Sequence, residues 1–271
     1  MNADLLSLAA ATAPAATRVE QIRNAAAAGF DGVGLRVDID PPSVGELREI
    51  TTALADTGLV LLDIEVVRIG THDESTIRAI VDAVAALGPR HVLAVSDLAD
   101  EPATIDALGR LAAWVRPAGT TVVVEFMAFT PLRTIADALR VVQATGDDSI
   151  GVLVDPLHLQ RSGGTPGQLE GIDPSRLPYV QLCDALLAPP AGGIDALIDE
   201  ARHARLLPGV GELPLAELLR RVPSVPISVE VHDDAARRRH TPAALAHLVA
   251  ERTRAWLAAG DQPFDQPSST G

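Results

Sequence analysis

Eight times along this chain a short, almost wholly apolar run is followed by a longer stretch with helical spacing. The runs occupy 5–9, 32–37, 60–67, 91–96, 121–126, 150–155, 179–183 and 226–231. Gly29, Gly58 and Gly88 close the helical stretches that precede the second, third and fourth runs, as expected where a residue with positive φ must end a helix. A run that is apolar throughout, rather than at alternate positions, suits a parallel strand buried on both faces. Strand and helix in strict alternation give an α/β fold, and eight units close most readily into a single (β/α)8 TIM barrel. The 271 residues fit the roughly 250 of that architecture. The barrel is expected to span 1–259, with a polar, disordered tail over 260–271. The stretch 162–177 is rich in Gly and Pro, so the sixth helix is expected to be weak.

Composition removes several function classes. The net charge of −14 argues against nucleic acid as a partner, because phosphate contacts need a basic surface. All 22 basic side chains are arginines. A Schiff-base aldolase, a pyridoxal phosphate enzyme and a Walker-type NTPase each need a lysine. Cys183 is the one cysteine, which excludes an internal disulfide and a cysteine-rich zinc site. No basic leader precedes an apolar stretch, and no uncharged apolar run reaches the ~18 residues of a membrane span. A soluble cytoplasmic protein with no membrane partner is expected.

In a barrel of this kind the carboxyl ends of the strands carry the chemistry. Four successive runs end near one polar side chain each: Glu125, Asp155, Gln181 and Glu230. Each follows several apolar residues, so a carboxylate there must be paired, protonated or metal-bound. Any one of them could be a structural acid held by backbone or arginine. Together on consecutive strands they would repel one another without a cation, and hard oxygen donors suit one divalent ion such as Mn²⁺, Mg²⁺ or Co²⁺. His158, three residues beyond Asp155, is placed to act as acid or base and to touch substrate. Arg36 and Arg68, at the ends of the second and third runs, could clamp a substrate anion or pair with Glu65 or another acidic neighbour, and Glu65 could be that partner or a residue supporting the site's ligands. Arg161 and His232 are further candidates for the barrel mouth, while Phe126, Phe129 and Trp114 could shape a pocket but read first as core.

Val123-Val124-Glu125-Phe126, Asp155-Pro156-Leu157-His158, Val180-Gln181-Leu182-Cys183-Asp184, Leu207-Pro208-Gly209-Val210-Gly211-Glu212-Leu213 and Ser228-Val229-Glu230-Val231 resemble the xylose isomerase-like TIM barrels. That resemblance covers nearly the whole chain. It implies a metal held by Glu125, Asp155, Gln181 and Glu230. Isomerases and epimerases of the family usually have His where this chain has Gln181, and many have Lys where it has Cys183; a His common two residues after the first Glu is replaced by Met127. Gln181 resembles the 3-dehydroshikimate dehydratase branch.

A bound cation stabilises the enediolate formed when a carbon acid loses its proton. Returning the proton gives isomerisation or epimerisation; expelling a β-hydroxyl gives dehydration. The first expectation is an isomerase or epimerase of a small sugar, keto-sugar or polyol, with Glu125 and Glu230 acting on opposite substrate faces. The alternative is a dehydratase using His158, and a non-catalytic ligand-binding barrel stands behind both. An apurinic-site endonuclease lacks the histidines and the basic surface it would need. A small molecule is the expected partner, and homo-oligomerisation is left open.

Overall fold

The structure is a computed structural model that describes residues 5–222 and 224–260; apart from Gly260, the expected disordered tail lies outside the described residues. The strands are β1 (Leu6–Leu8), β2 (Gly32–Arg36), β3 (Val60–Ile69), β4 (His91–Ser96), β5 (Thr121–Glu125), β6 (Ile150–Leu153), β7 (Val180–Leu182) and β8 (Ile227–Val229). The helices are α1 (Arg18–Ala27), α2 (Val44–Thr57), α3 (Glu74–Leu87), α4 (Glu101–Val115), α5 (Ile135–Ala144), α6 (Pro156–Arg161), α7 (Ile194–His203), α8 (Leu215–Arg221), α9 (Asp234–Arg239) and α10 (Pro242–Ala259). Every apolar run became a strand, although six of the eight strands stop one or two residues short of the run's carboxyl end. The residues that lead into the loops give up the ladder there.

Local sequence explains the helix boundaries. Thr17 and Thr134 open α1 and α5 with reciprocal caps to Glu20 and Asp137, each satisfying backbone N–H groups that a helix start leaves unpaired. Ser43, Asp73, Asp100 and Thr241 cap α2, α3, α4 and α10 without the reciprocal bond, each side chain accepting one backbone N–H of the first turn. Between β6 and β7 a six-residue α6 gives way to two short 3-10 turns, which is the weak sixth helix expected from its Gly and Pro content. Between β7 and β8 there are two helices, α7 and α8, rather than one.

All the strand pairs are parallel, in the order β6-β5-β4-β3-β2-β1-β8-β7. The remaining seam is joined by a parallel bridge between Val154 and Val180, where the Gln181 N–H donates to the Val154 carbonyl at 3.1 Å. The result is a nearly closed barrel. Alternate residues divide its two cores. Val122, Val124, Val180, Leu182 and Val229 face the helices, whereas Leu5, Leu62, Leu93, Val123, Leu153 and Tyr179 pack together inside the barrel. Above that apolar floor the interior turns polar, and Ser7, Asp63, Glu65, Glu125, Gln181, Ser228 and Glu230 are all buried. Gly34 is required by this filling: a Cβ there would lie 2.2 Å from Asp63 Oδ1. No helix among the described residues is long and apolar enough to cross a membrane.

Candidate metal centre

Glu125 is the last residue of β5, Asp155 lies two residues beyond β6, Gln181 is the central residue of β7 and Glu230 directly follows β8. Asp155 is fixed by a local device. It is the N-cap of α6, with Pro156 at the first helical position, and its Oδ1 accepts the backbone N–H groups of Leu157 at 2.7 Å and His158 at 3.2 Å. Proline suits that position because its φ is already helical and it lacks an N–H. The cap uses one carboxylate oxygen and leaves Oδ2 facing the barrel mouth. The same turn delivers His158 to the site.

Glu125, Asp155 and His158 converge, with one potential ligand atom from each lying within 4.8 Å of the other two. His158 Nε2 is 3.7 Å from Glu125 Oε1. Glu230 is joined to this group through Arg205. The Arg205 Nη1 lies 2.5 Å from Asp155 Oδ2 and 2.8 Å from Glu230 Oε2, and Nη2 is 3.3 Å from His158 Nε2. Arg205 is only 3% exposed, so this is a buried cation shared by two carboxylates.

Electrostatics sort these groups. Burial would raise the Glu230 carboxyl, but the Arg205 charge and then His232, 3.3 Å away, hold it well below its ordinary range. Glu125 has no comparable partner; burial, then the charges of Glu230 and Asp155, push it well up. His158 is pushed down to about 4, chiefly by burial. At neutral pH it is therefore an uncharged imidazole, able to accept a proton.

The donor set fits a divalent cation. Glu125 Oε1 and Gln181 Oε1 are buried without a hydrogen-bond partner, an arrangement that costs free energy unless something else binds them. Asp155 and Glu230 already gather around a positive group, the Arg205 guanidinium. The structure brings Glu125 and Asp155 to one point with His158, hard oxygen donors suited to a divalent cation, and links Glu230 to that point through Arg205.

Above them opens a cleft of about 440 Å³. Arg36, Arg68, Arg202, Arg205 and Arg237 all line it, beside Glu125, His158, Glu230 and His232. Both expected arginines pair with an acidic neighbour other than Glu65. Arg36 pairs with Asp38 at 2.8 Å and Arg68 with Asp97 at 2.7 Å, and Glu65 instead accepts from Gln181 Nε2 at 3.0 Å. Arg161 pairs with Glu200 at 2.7 Å and is not among the cleft's lining residues. Phe126 is core, but Phe129 meets the His158 ring edge-on at 5.7 Å and lines the cleft.

Two site residues escaped the sequence reading. Arg205 is one of 22 arginines, and its role depends on the chain returning between β7 and β8. Asp184 fixes that return. Its carboxylate accepts the N–H groups of Gly209, Gly211 and Leu213 at 2.9–3.0 Å. Gly211 has no room for a side chain, since a Cβ would sit 2.3 Å from the Ala185 carbonyl oxygen. The available signal was the dense Leu207-Pro208-Gly209-Val210-Gly211 turn following an arginine.

Residues 22–256 match the family model described as xylose isomerase-like TIM barrel. The chain is 30% identical over 246 residues to a 3-dehydroshikimate dehydratase of Pseudomonas aeruginosa, covering 84% of this chain and 38% of that protein. It is 27% identical over 239 residues to the 3-dehydroshikimate dehydratase of Pseudomonas putida, covering 82% of this chain and 37% of that one. The chain thus spans well under half the length of these relatives. Among solved structures, the IolI protein with a bound zinc atom superposes with a TM-score of 0.77 at 17% identity, covering 97% of this chain and all of that one; at such identity the likeness is one of fold.

Proposed function

Because the chain belongs to the xylose isomerase-like TIM barrel family, we propose that it is a divalent-metal-dependent lyase that removes water from a small β-hydroxy ketone bearing a carboxylate, with 3-dehydroshikimate as the first substrate to try. The metal would be held by Glu125, Asp155, Gln181 and Glu230. One observation carries the choice of substrate class: besides Arg205, which Asp155 and Glu230 already neutralise, the guanidinium groups of Arg36, Arg68, Arg202 and Arg237 line the cleft that holds His158. A cleft wall so rich in arginine favours an anionic substrate. A carboxylate attached near the ketone meets that preference, and a neutral ketose does not. The names of the relatives and the amide at Gln181 support the same reading.

When bound, the metal supplies Lewis-acid polarisation of the substrate carbonyl. The chain's own residues do the rest. Arg36, Arg68 and Arg202, which line the cleft, orient the anion, while Arg205 holds Asp155 and Glu230 in place. His158 Nε2 takes the proton from the carbon beside the carbonyl. The C–O bond of the β-hydroxyl then breaks, and the same proton leaves with it as water. Phe129 against His158 limits water at the transferring nitrogen.

Isomerisation or epimerisation of a keto-sugar, the first expectation from sequence, would begin with the same proton abstraction. The test separates the two: the purified protein with Mn²⁺ is offered 3-dehydroshikimate, and in parallel neutral ketoses in D₂O. Loss of water from 3-dehydroshikimate, read by mass spectrometry, is the expected outcome. Deuterium incorporation into a ketose with 3-dehydroshikimate untouched would return the assignment to an isomerase or epimerase.

A further inference from the structure

The Gln181 side chain is nearly symmetric in shape and opposite in chemistry at its two ends. Its oxygen can bind a hard cation, whereas its NH₂ can only donate. Rotating the amide by half a turn changes no volume, so packing cannot decide which end faces Glu125, Asp155 and Glu230. A hydrogen-bond partner must.

That partner comes from the other side of the barrel. In the order β7-β8-β1-β2-β3, Glu65 lies four strands away from Gln181. Its Oε1 accepts from Gln181 Nε2 at 3.0 Å, across 116 residues of sequence. Glu65 is 4% exposed, and this is the hydrogen bond its side chain makes among the described residues. The amide oxygen is left buried and unpartnered. With the amide reversed, its oxygen would face the Glu65 carboxyl across that 3.0 Å, a contact that only a protonated Glu65 could make. No ion pair accounts for Glu65 either, because Arg36 and Arg68 pair with Asp38 and Asp97. A buried acid without a counter-ion is costly to keep, which calls for a role.

We propose that Glu65 is a positioning residue that holds the Gln181 amide with its oxygen presented to the metal, so that an amide can stand in this site as the fourth ligand. The proposal rests on the metal reading above. It also explains how the site uses glutamine: the choice of ligand on β7 is tied to the residue on β3.

The experiment is a Mn²⁺ titration by calorimetry on the full chain, unsubstituted and as E65L, E65Q, Q181E and E65L/Q181E, with thermal melting of each. Losing a supporting partner of a metal ligand typically weakens binding about 10–100-fold, and that loss is expected for E65L. E65Q keeps an acceptor for the amide and is expected to bind close to the unsubstituted protein. Glutamate at 181 presents oxygen in either orientation, so the E65L penalty is expected to vanish in the Q181E background. E65L leaves the Gln181 NH₂ buried without an acceptor and is expected to melt lower; what sets Glu65 apart from a residue that only supports the fold is that its Mn²⁺ penalty disappears in the Q181E background. E65L binding Mn²⁺ as tightly as the unsubstituted chain, or showing the same penalty in both backgrounds, would overturn the proposal. Absence of Mn²⁺ binding by the unsubstituted protein would overturn the metal reading itself.

Discussion

From β2 to β5 the barrel is built of strands of 5 to 10 residues and helices of 10 to 15. From β6 to β8 the strands shrink to 3 or 4 residues, and α6, α8 and α9 have only 6 or 7. The second region nevertheless supplies Asp155, His158, Gln181, Arg205 and Glu230. Long ladders and capped helices leave their side chains committed to packing, while short strands release backbone into loops that can aim polar groups at one point. The first region contributes to the site mostly by what it lends across the barrel: Glu125, Glu65 and the cleft arginines Arg36 and Arg68. Substitutions should therefore divide into those that remove chemistry and those that remove stability.

The largest separation is expected at His158. H158A should lower kcat by about 10²–10⁴-fold, the usual worth of a positioned acid–base group, with Mn²⁺ stoichiometry unchanged; an undiminished kcat would make the histidine structural. Next comes Arg205, where the two kinds of effect meet. R205M leaves Asp155 and Glu230 buried without their shared cation, which should cost about 3–5 kcal/mol of stability in chelator. Added Mn²⁺ should recover most of that loss in a urea melt, because the ion takes over the neutralising charge. A deficit that Mn²⁺ leaves in place would show that metal and guanidinium do not share these carboxylates.

In the scaffold region the effect should be stability alone. Leu108 on α4 is fully buried against the barrel, and L108A should cost about 2–5 kcal/mol through its cavity, with kcat per folded molecule unaltered. A matching fall in kcat would mean that the two regions are coupled. The smallest effect is expected at the barrel floor. His91, stacked on Tyr179, is pushed down to about 4 by burial and then by Arg90. Its folded pKa lies below the unfolded value, so the unfolded chain binds more protons between these limits and stability falls as pH drops from about 6.5 towards 4. After allowance for partial exposure the loss is about 1–2 kcal/mol. Comparing melts of the native chain and H91Q over that range isolates it from Asp63, Glu65 and Glu125, whose raised values act with the opposite sign. Parallel pH curves for the two proteins would remove His91 as a source.

What could be read from the sequence follows the same division. The strand runs and the polar residues ending them announce themselves locally, through a continuous apolar stretch and its break, so Glu125, Asp155 and Glu230 were legible as a set. Asp155-Pro156 even carries its own cap signal. Gln181 is legible with them as a fourth hard donor at a strand end, although it is an interior residue of its strand. The Glu65 pairing could not be read, because the nearest visible partners in sequence were arginines and the real one comes from the opposite wall. Arg205 meets Asp155 from 50 positions away, through a turn whose course Asp184 decides. Long-range geometry of that kind leaves no periodic trace. The length of α6 and the division between α7 and α8 depend likewise on loop packing.

The central claim is that the carboxylates at the ends of β5, β6 and β8, with the amide on β7, form one metal site. Its most direct test is elemental analysis joined to calorimetric Mn²⁺ titration of the chelator-treated protein, beside E230Q with an unchanged circular dichroism spectrum. One tight Mn²⁺ per chain, lost in E230Q, is the expected result. Equal binding by both proteins, or binding by neither, would contradict the site.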